Sequence, residues 1–78
     1  MSSYDIWSTT IRVSDMTHIA TICAVPMNGS RGEVHSHTRI LATAGDARME
    51  CSRMAVGMQE TLIAEGHEIG RVSDLRRR

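Results

Sequence analysis

Two histidines, His35 and His37, stand two residues apart in a stretch of strand-like sequence, so both side chains are expected on one face of a strand. A metal ion could use both, but a structural zinc site usually needs four ligands, completed by Cys or further His. The other candidate ligands have no diagnostic spacing: His18, His67, Cys23 and Cys51. We therefore predict no metal, no cofactor and two solvent-facing histidines.

The two cysteines are expected to be reduced, buried side chains, because they have no close spacing and no apolar signal segment opens the chain. Cys51 falls within an apolar helix stripe, where burial suppresses the thiolate that catalysis needs. Gly29 and Gly32 flank a turn with no helix after it, so they cannot place a phosphate on a helix N-terminus. These features predict a protein that is not an enzyme and acts in the cytoplasm.

The composition indicates one small domain, residues 1–78, near the size at which oligomerisation often completes a core. All nine basic residues are Arg, and nine acidic residues balance them. A net charge of zero removes the usual electrostatic footprint of a duplex-binding domain. No run of residues is long and apolar enough to span a membrane.

One long periodic segment, from Gly45 to Gly66, predicts an amphipathic helix. Thr43 with Asp46 resembles a capping box and starts the helix near residues 44–47, and Gly66 suits its end. Gly57, inside the helix, predicts close approach to a strand or loop. The stripe expected to face the core comprises Ala47, Cys51, Met54, Ala55, Met58 and Leu62.

The residues before the helix predict three antiparallel strands over residues 4–13, 18–26 and 33–43. Turn residues 14–17 join the first two strands, and residues 27–32, with an Asn-Gly pair, join the next two. The expected fold is therefore α+β, a βββα domain with the helix packed across one face of a three-stranded antiparallel sheet. Residues 67–72 form either a short edge strand or a packed segment, and residues 73–78 predict a mobile, Arg-rich tail.

Alternation along the strands predicts which side chains meet the helix. In the third strand, the small set containing Ser36, Thr38 and Ile40 is expected on the helix side, and His35, His37 and Arg39 on the opposite side. Trp7 is expected to anchor the core. The side chains predicted to be buried together are Trp7, Ile11, Ile22, Ile40, Met54, Met58 and Leu62.

Met49, Val56 and Ile63 recur every seven residues on the helix face opposite the core stripe, and we call this row the helix seam. An apolar row with polar neighbours is typical of an interface, with a second copy or with a different protein, although the C-terminal tail could cover it instead. The predicted partner-binding set is Met49, Ser52, Arg53, Val56, Gln59, Glu60 and Ile63. A secondary binding set comprises His35, His37, Arg39 and Arg48.

An alternative partner is nucleic acid. Three strands followed by a helix is also the order found in double-stranded RNA-binding domains, which carry a basic cluster at the start of that helix. The residues available here for phosphate contact are Arg39, Arg48, Arg53 and the terminal Arg76, Arg77 and Arg78. Glu50 stands between Arg48 and Arg53, and this interruption together with the zero net charge argues against such a contact.

The passage GDARMECSRMAVGMQETLIAEGHEI resembles the strand-to-helix passage of HicB-type antitoxins, and the likeness is carried by Gly45, Asp46, Gly66 and Glu68. This resemblance implies an antitoxin. In its architecture, a small sheet with one helix, no catalytic signature and an exposed apolar row, the chain is also similar to phage-encoded anti-CRISPR proteins. That similarity implies inhibition of a CRISPR effector complex by occupying its surface in the host cytoplasm.

Overall fold

Four strands and one helix form the domain in a computed structural model that describes residues 3–27 and 32–74. The elements in chain order are β1 Ser3–Ser14, β2 Thr17–Pro26, β3 His35–Leu41, α1 Ala44–Ala64 and β4 Glu68–Asp74. The sheet has the order β3-β2-β1-β4, and α1 packs on one face of it. The predicted α+β class, with one helix on a sheet, is confirmed.

The sheet has four strands and is mixed, so the prediction of a three-stranded, purely antiparallel sheet is wrong. β1 pairs antiparallel with β2, and β2 pairs antiparallel with β3, as predicted. The segment after the helix, which the sequence left open, forms β4 and pairs parallel with β1. A parallel neighbour needs a long crossover connection, and α1 provides it by crossing the sheet from β3 to the far edge.

The predicted tail begins later than expected, because Ser73 and Asp74 still belong to β4. The remainder of the tail, residues 75–78 with its three arginines, lies outside the described residues. So do residues 28–31, which hold the predicted Asn-Gly turn. Among the described residues, no helix is long and apolar enough to cross a membrane.

The helix has the ends that the sequence predicts. The Thr43 side chain accepts a hydrogen bond from the Asp46 amide over 3.1 Å, which satisfies one of the free N–H groups of the first turn. Gly66 takes a φ of 89°, a left-handed conformation that glycine adopts without a Cβ penalty, and the chain leaves the helix there.

The predicted helix stripe faces the core. Ala47, Cys51, Met58 and Leu62 are buried, and Met54 and Ala55 pack against the core while partly exposed. The sheet contributes a larger cluster, with Tyr4, Ile6, Ile22 and Ala24, and a smaller cluster around Ala20. Small side chains at Ala20 and Ala47, both fully buried, let the helix come close to β2.

Three members of the predicted core are not in it. Along β1, Tyr4, Ile6 and Ser8 face the helix, so Trp7 and Ile11, which alternate with them, lie on the sheet face that α1 does not cover. Ile40 of β3 lies on the same uncovered face, because it pairs with Ile19. Ile40 is 71% exposed. Alternation showed which β1 residues share a face, but both faces are apolar, so it could not show which face meets the helix.

The predicted close approach at Gly57 is also wrong, because a Cβ built there meets nothing within 4 Å. Gly70 in β4 is the opposite case: its Cβ would come within 2.6 Å of Met27 Sδ and 2.7 Å of Asp5 Oδ1. Asp5 cannot easily move, since the same oxygen accepts a hydrogen bond from the Arg71 amide over 2.9 Å.

These two glycines give a matched test of the fold. Gly57→Ala is expected to raise the free energy of unfolding by about 0.5 to 1 kcal/mol, because alanine favours a helix interior. Gly70→Ala is expected to lower it by about 1 to 3 kcal/mol through the steric conflict with Asp5 and Met27. Urea melts of the two variants measure both changes. A loss of stability in Gly57→Ala would show that a segment packs against this side of the helix.

Candidate functional site

The helix seam lies on the side of α1 that points away from the sheet. Its three side chains are between 53% and 59% exposed. At about 1.5 Å per residue, the row from Met49 to Ile63 is about 21 Å long. The only described segment after the helix, β4, lies beside β1 in the sheet and does not cover the seam.

Polar side chains flank the seam on both sides. Ser52, Arg53 and Glu60 are exposed, and Gln59 is half-buried. The Ser52 hydroxyl donates to the Arg48 carbonyl over 3.4 Å, and an Arg53 nitrogen lies 3.9 Å from Glu50. The surface thus has an apolar centre with a polar margin, the arrangement seen in exchangeable protein interfaces.

The histidine pair occupies a different surface from the one expected. His35 and His37 share a face of β3, as predicted, but that face is the helix side, because they pair with Ala24 and Ile22. Together with Arg39 they line a groove of about 450 Å³ between β3 and α1. The helix side of the groove is formed by Met54, Gly57, Met58 and Thr61.

The prediction that Arg39 and the histidines lie on the sheet face opposite the helix is therefore wrong. β3 is an edge strand that the helix covers only in part, so its polar side chains reach water through the groove. Arg39 also gains a partner there, since its Nε lies 3.0 Å from a Glu50 oxygen, and the Glu50 side chain is only 16% exposed. Ser36 and Thr38 lie on the uncovered face instead.

Arg48, the fourth member of the predicted secondary set, is separate from the other three. It lines a smaller cavity of about 190 Å³ between α1 and the β1–β4 side of the sheet. Cys51, Ser8 and Ser52 line the same cavity. The structure therefore brings His35, His37 and Arg39 together and leaves Arg48 elsewhere.

The described residues contain no group of three or more His, Cys, Asp or Glu side chains that could hold a metal ion. His35 contacts the ring of Tyr4 at a centroid distance of 5.8 Å, and His67 contacts the same ring edge-on at 5.0 Å. These histidines pack as aromatic neighbours of a buried tyrosine.

Both cysteines are free and buried, as predicted. Burial raises the pKa of the Cys23 thiol above its ordinary value. The Cys51 thiol lies 3.5 Å from the Thr9 carbonyl, to which it donates. A thiol held neutral by burial is a poor nucleophile.

The sequence did not reveal the sheet face that α1 leaves uncovered. Strand register aligns its side chains in three rows across β1, β2 and β3, and we call this surface the open sheet face. The rows are Trp7–Cys23–Ser36, Thr9–Thr21–Thr38 and Ile11–Ile19–Ile40. The hydroxyl oxygens of Thr21 and Thr38 lie 3.4 Å apart, as neighbours on one face.

A signal for this face was present in the sequence. Each of the three predicted strands has a Thr and an Ile two residues apart, and therefore on one face of the strand: Thr9 and Ile11, Ile19 and Thr21, Thr38 and Ile40. Recognising the rows requires the register between strands, which one strand's alternation does not supply.

Comparison of the chain with protein-family models, curated proteins and solved structures finds no match.

Proposed function

We propose that this protein is a non-catalytic binding protein that inhibits or regulates a protein partner by occupying its surface through the helix seam. The observation that carries the proposal is the exposed apolar row of Met49, Val56 and Ile63 on a rigid helix. Such a row suits insertion into an apolar groove of another protein, where residues seven apart act as anchors. The polar margin of Ser52, Arg53, Gln59 and Glu60 would set its orientation.

The architecture favours a phage-encoded inhibitor of the anti-CRISPR type, with a CRISPR effector complex as the partner. A HicB-like antitoxin, whose partner would be a toxin, is the alternative suggested by the helix passage. The two free, buried cysteines suit a reducing compartment such as the cytoplasm.

Contact with nucleic acid is less well supported. Arg39 and Arg53 both lie within ion-pair distance of Glu50, which offsets their charge. Arg48 is on the other side of the helix from Arg39. The described arginines therefore do not form a continuous basic surface that could follow a phosphate backbone.

The test is a charge placed in the middle of the seam. Val56→Glu is expected to weaken partner capture by at least about tenfold, because an unpaired carboxylate in an apolar contact costs more than 1.4 kcal/mol. Ala64→Glu is the matched control: it adds the same charge to an exposed position of the same helix that belongs neither to the seam nor to either groove. Tagged copies of each protein are incubated with host lysate, and mass spectrometry identifies the captured proteins.

Recovery of CRISPR effector subunits by the wild type and Ala64→Glu, but not by Val56→Glu, would support the anti-CRISPR role. Recovery of a toxin with the same dependence would support the antitoxin. Capture that disappears between about 0.1 and 0.5 M salt would indicate phosphate contacts. If Val56→Glu unfolds the domain, the seam belongs to its own core and the proposal fails.

A further inference from the structure

The open sheet face differs from an ordinary solvent surface because its side chains are uncharged and lie in register across three strands. Its three rows place β-branched or aromatic side chains at seven of nine positions, the residue types that pack best across strands. Ile11 and Ile40, the two ends of the third row, are 39% and 71% exposed. A contiguous apolar surface of this kind usually marks an association site.

The face carries no charge in its three rows. The only ionisable group in those rows is the Cys23 thiol, and burial raises its pKa, which favours the uncharged form. The nearest carboxylate on β1, Asp5, lies at the margin and holds the Arg71 amide of β4. In a two-fold symmetric contact, residues near the axis meet their own copies, so any charge there would meet a like charge. The rows of the open sheet face hold no charged side chain, so a two-fold contact there would bring no like charges together.

The core of a single copy is small for a free-standing domain. Its largest fully buried side chains are Tyr4, Ile6, Ile22 and Leu62. With Met58 included, five large hydrophobic side chains are buried, whereas ten are exposed among the described residues. A chain of 78 residues with this imbalance is of the kind that association commonly completes.

The dimensions of the face also suit a dimer. The whole sheet face that α1 leaves uncovered, with β4 counted beside the three strands of the rows, measures roughly 19 by 24 Å, from four strands about 4.8 Å apart and about seven residues of 3.4 Å. Two such faces in contact bury roughly 900 Å², close to the lower limit of about 1,000 Å² for a specific interface.

We propose that a second copy of this chain covers the open sheet face, so that two sheets pack face to face about a two-fold axis with the helices outermost. Sheets packed this way lie about 10 Å apart and interdigitate their side chains. The uncharged composition is typical of a permanent interface between copies, whereas the helix seam, with its charged margin, is typical of an exchangeable one. The dimer leaves both seams free for the partner.

The experiment compares two isoleucines that are both exposed in a single copy. Ile40→Glu puts a charge on the open sheet face, and Ile63→Glu puts the same charge on the helix seam. Light scattering of the wild type at roughly 100 µM should give about twice the chain mass of 8.6 kDa. Ile40→Glu should halve that mass, and Ile63→Glu should leave it unchanged.

The single tryptophan gives a second measurement that needs no variant. Trp7 lies on the open sheet face, so dilution of the wild type through the dissociation range should shift its emission to longer wavelength and increase quenching by acrylamide. Far-UV circular dichroism at the same dilutions shows whether the domain stays folded. If Ile40→Glu does not fold, this dilution series still decides the question.

The proposal is overturned by a wild type that runs at the mass of one chain, or by a dimer that Ile63→Glu dissociates and Ile40→Glu does not. A dimer whose Trp7 emission is unchanged by dissociation would also overturn it. The outcome is independent of the partner, because Ile40→Glu leaves the helix seam intact. If Ile40→Glu is a monomer that still captures the partner, the surface that forms the dimer and the seam that binds the partner are two separate surfaces.

Discussion

Replacing Leu62 by Ala is expected to lower the free energy of unfolding by about 2 to 5 kcal/mol. Leu62 is 1% exposed and belongs to the larger core cluster, where it packs with Tyr4, Ile6 and Ile22. Truncation to Ala removes apolar contacts and leaves a cavity that surrounding strands cannot fill without losing pairing. Urea or guanidinium melts that follow helix content measure the change.

The next residue provides the control. Ile63 is on the helix seam, so Ile63→Ala is expected to change the free energy of unfolding by no more than about 0.5 kcal/mol. The two substitutions differ by one position and about 100° around the helix. Equal effects, or a larger loss in Ile63→Ala, would mean that the helix is rotated relative to the orientation described above.

The helix was largely predictable from the sequence because its signals are local. Thr43 and Asp46 mark the start, Gly66 marks the end, and the core stripe repeats at the helical period. Each of these signals comes from residues that lie within one or two helical turns of each other. No knowledge of the sheet is needed to place them.

The sheet was less predictable because its decisive features are long-range. On β1, Tyr4 and Ile6 face the helix while Trp7 and Ile11 face away, and both pairs are apolar. The side is decided by where the helix can come close, over the small Ala20 of β2. That information lies in a different strand.

The fourth strand illustrates the same limit. Glu68, Gly70 and Arg71 give a weak strand pattern, and the strand forms because β1 offers it an unpaired edge. Its register shifts between the partners of Tyr4 and Ile6, where the Asp5 carboxylate accepts the Arg71 amide. A shift that depends on one side chain from the far end of the chain leaves no local signal.

The candidate site divides in the same way. The helix seam was found because it is a helical repeat, and its exposure agrees with the prediction. The position of His35, His37 and Arg39 was missed because it depends on β3 being an edge strand beside α1. The open sheet face was missed because it appears only when three strands are in register.

The strongest test of which sheet face forms the core is a comparison of the two aromatic residues. Tyr4 is 1% exposed and packs between the rings of His35 and His67 under the helix. Tyr4→Ala is therefore expected to lower the free energy of unfolding by about 3 to 5 kcal/mol, as loss of a buried aromatic ring does. Tyr4→Phe, which keeps the ring, should retain most of the stability.

Trp7, three residues along the same strand, is the larger side chain and the one that composition alone would place in the core. It lies on the open sheet face and is half-buried in a single copy. Both substitutions are best measured in the Ile40→Glu background, where the copies are expected to stay apart and unfolding does not depend on concentration. There, Trp7→Ala should cost no more than about half as much as Tyr4→Ala, since a partly exposed ring loses less burial on truncation. A larger loss for Trp7→Ala would place the core on the other face of the sheet, and the open sheet face could then no longer be assigned to a second copy.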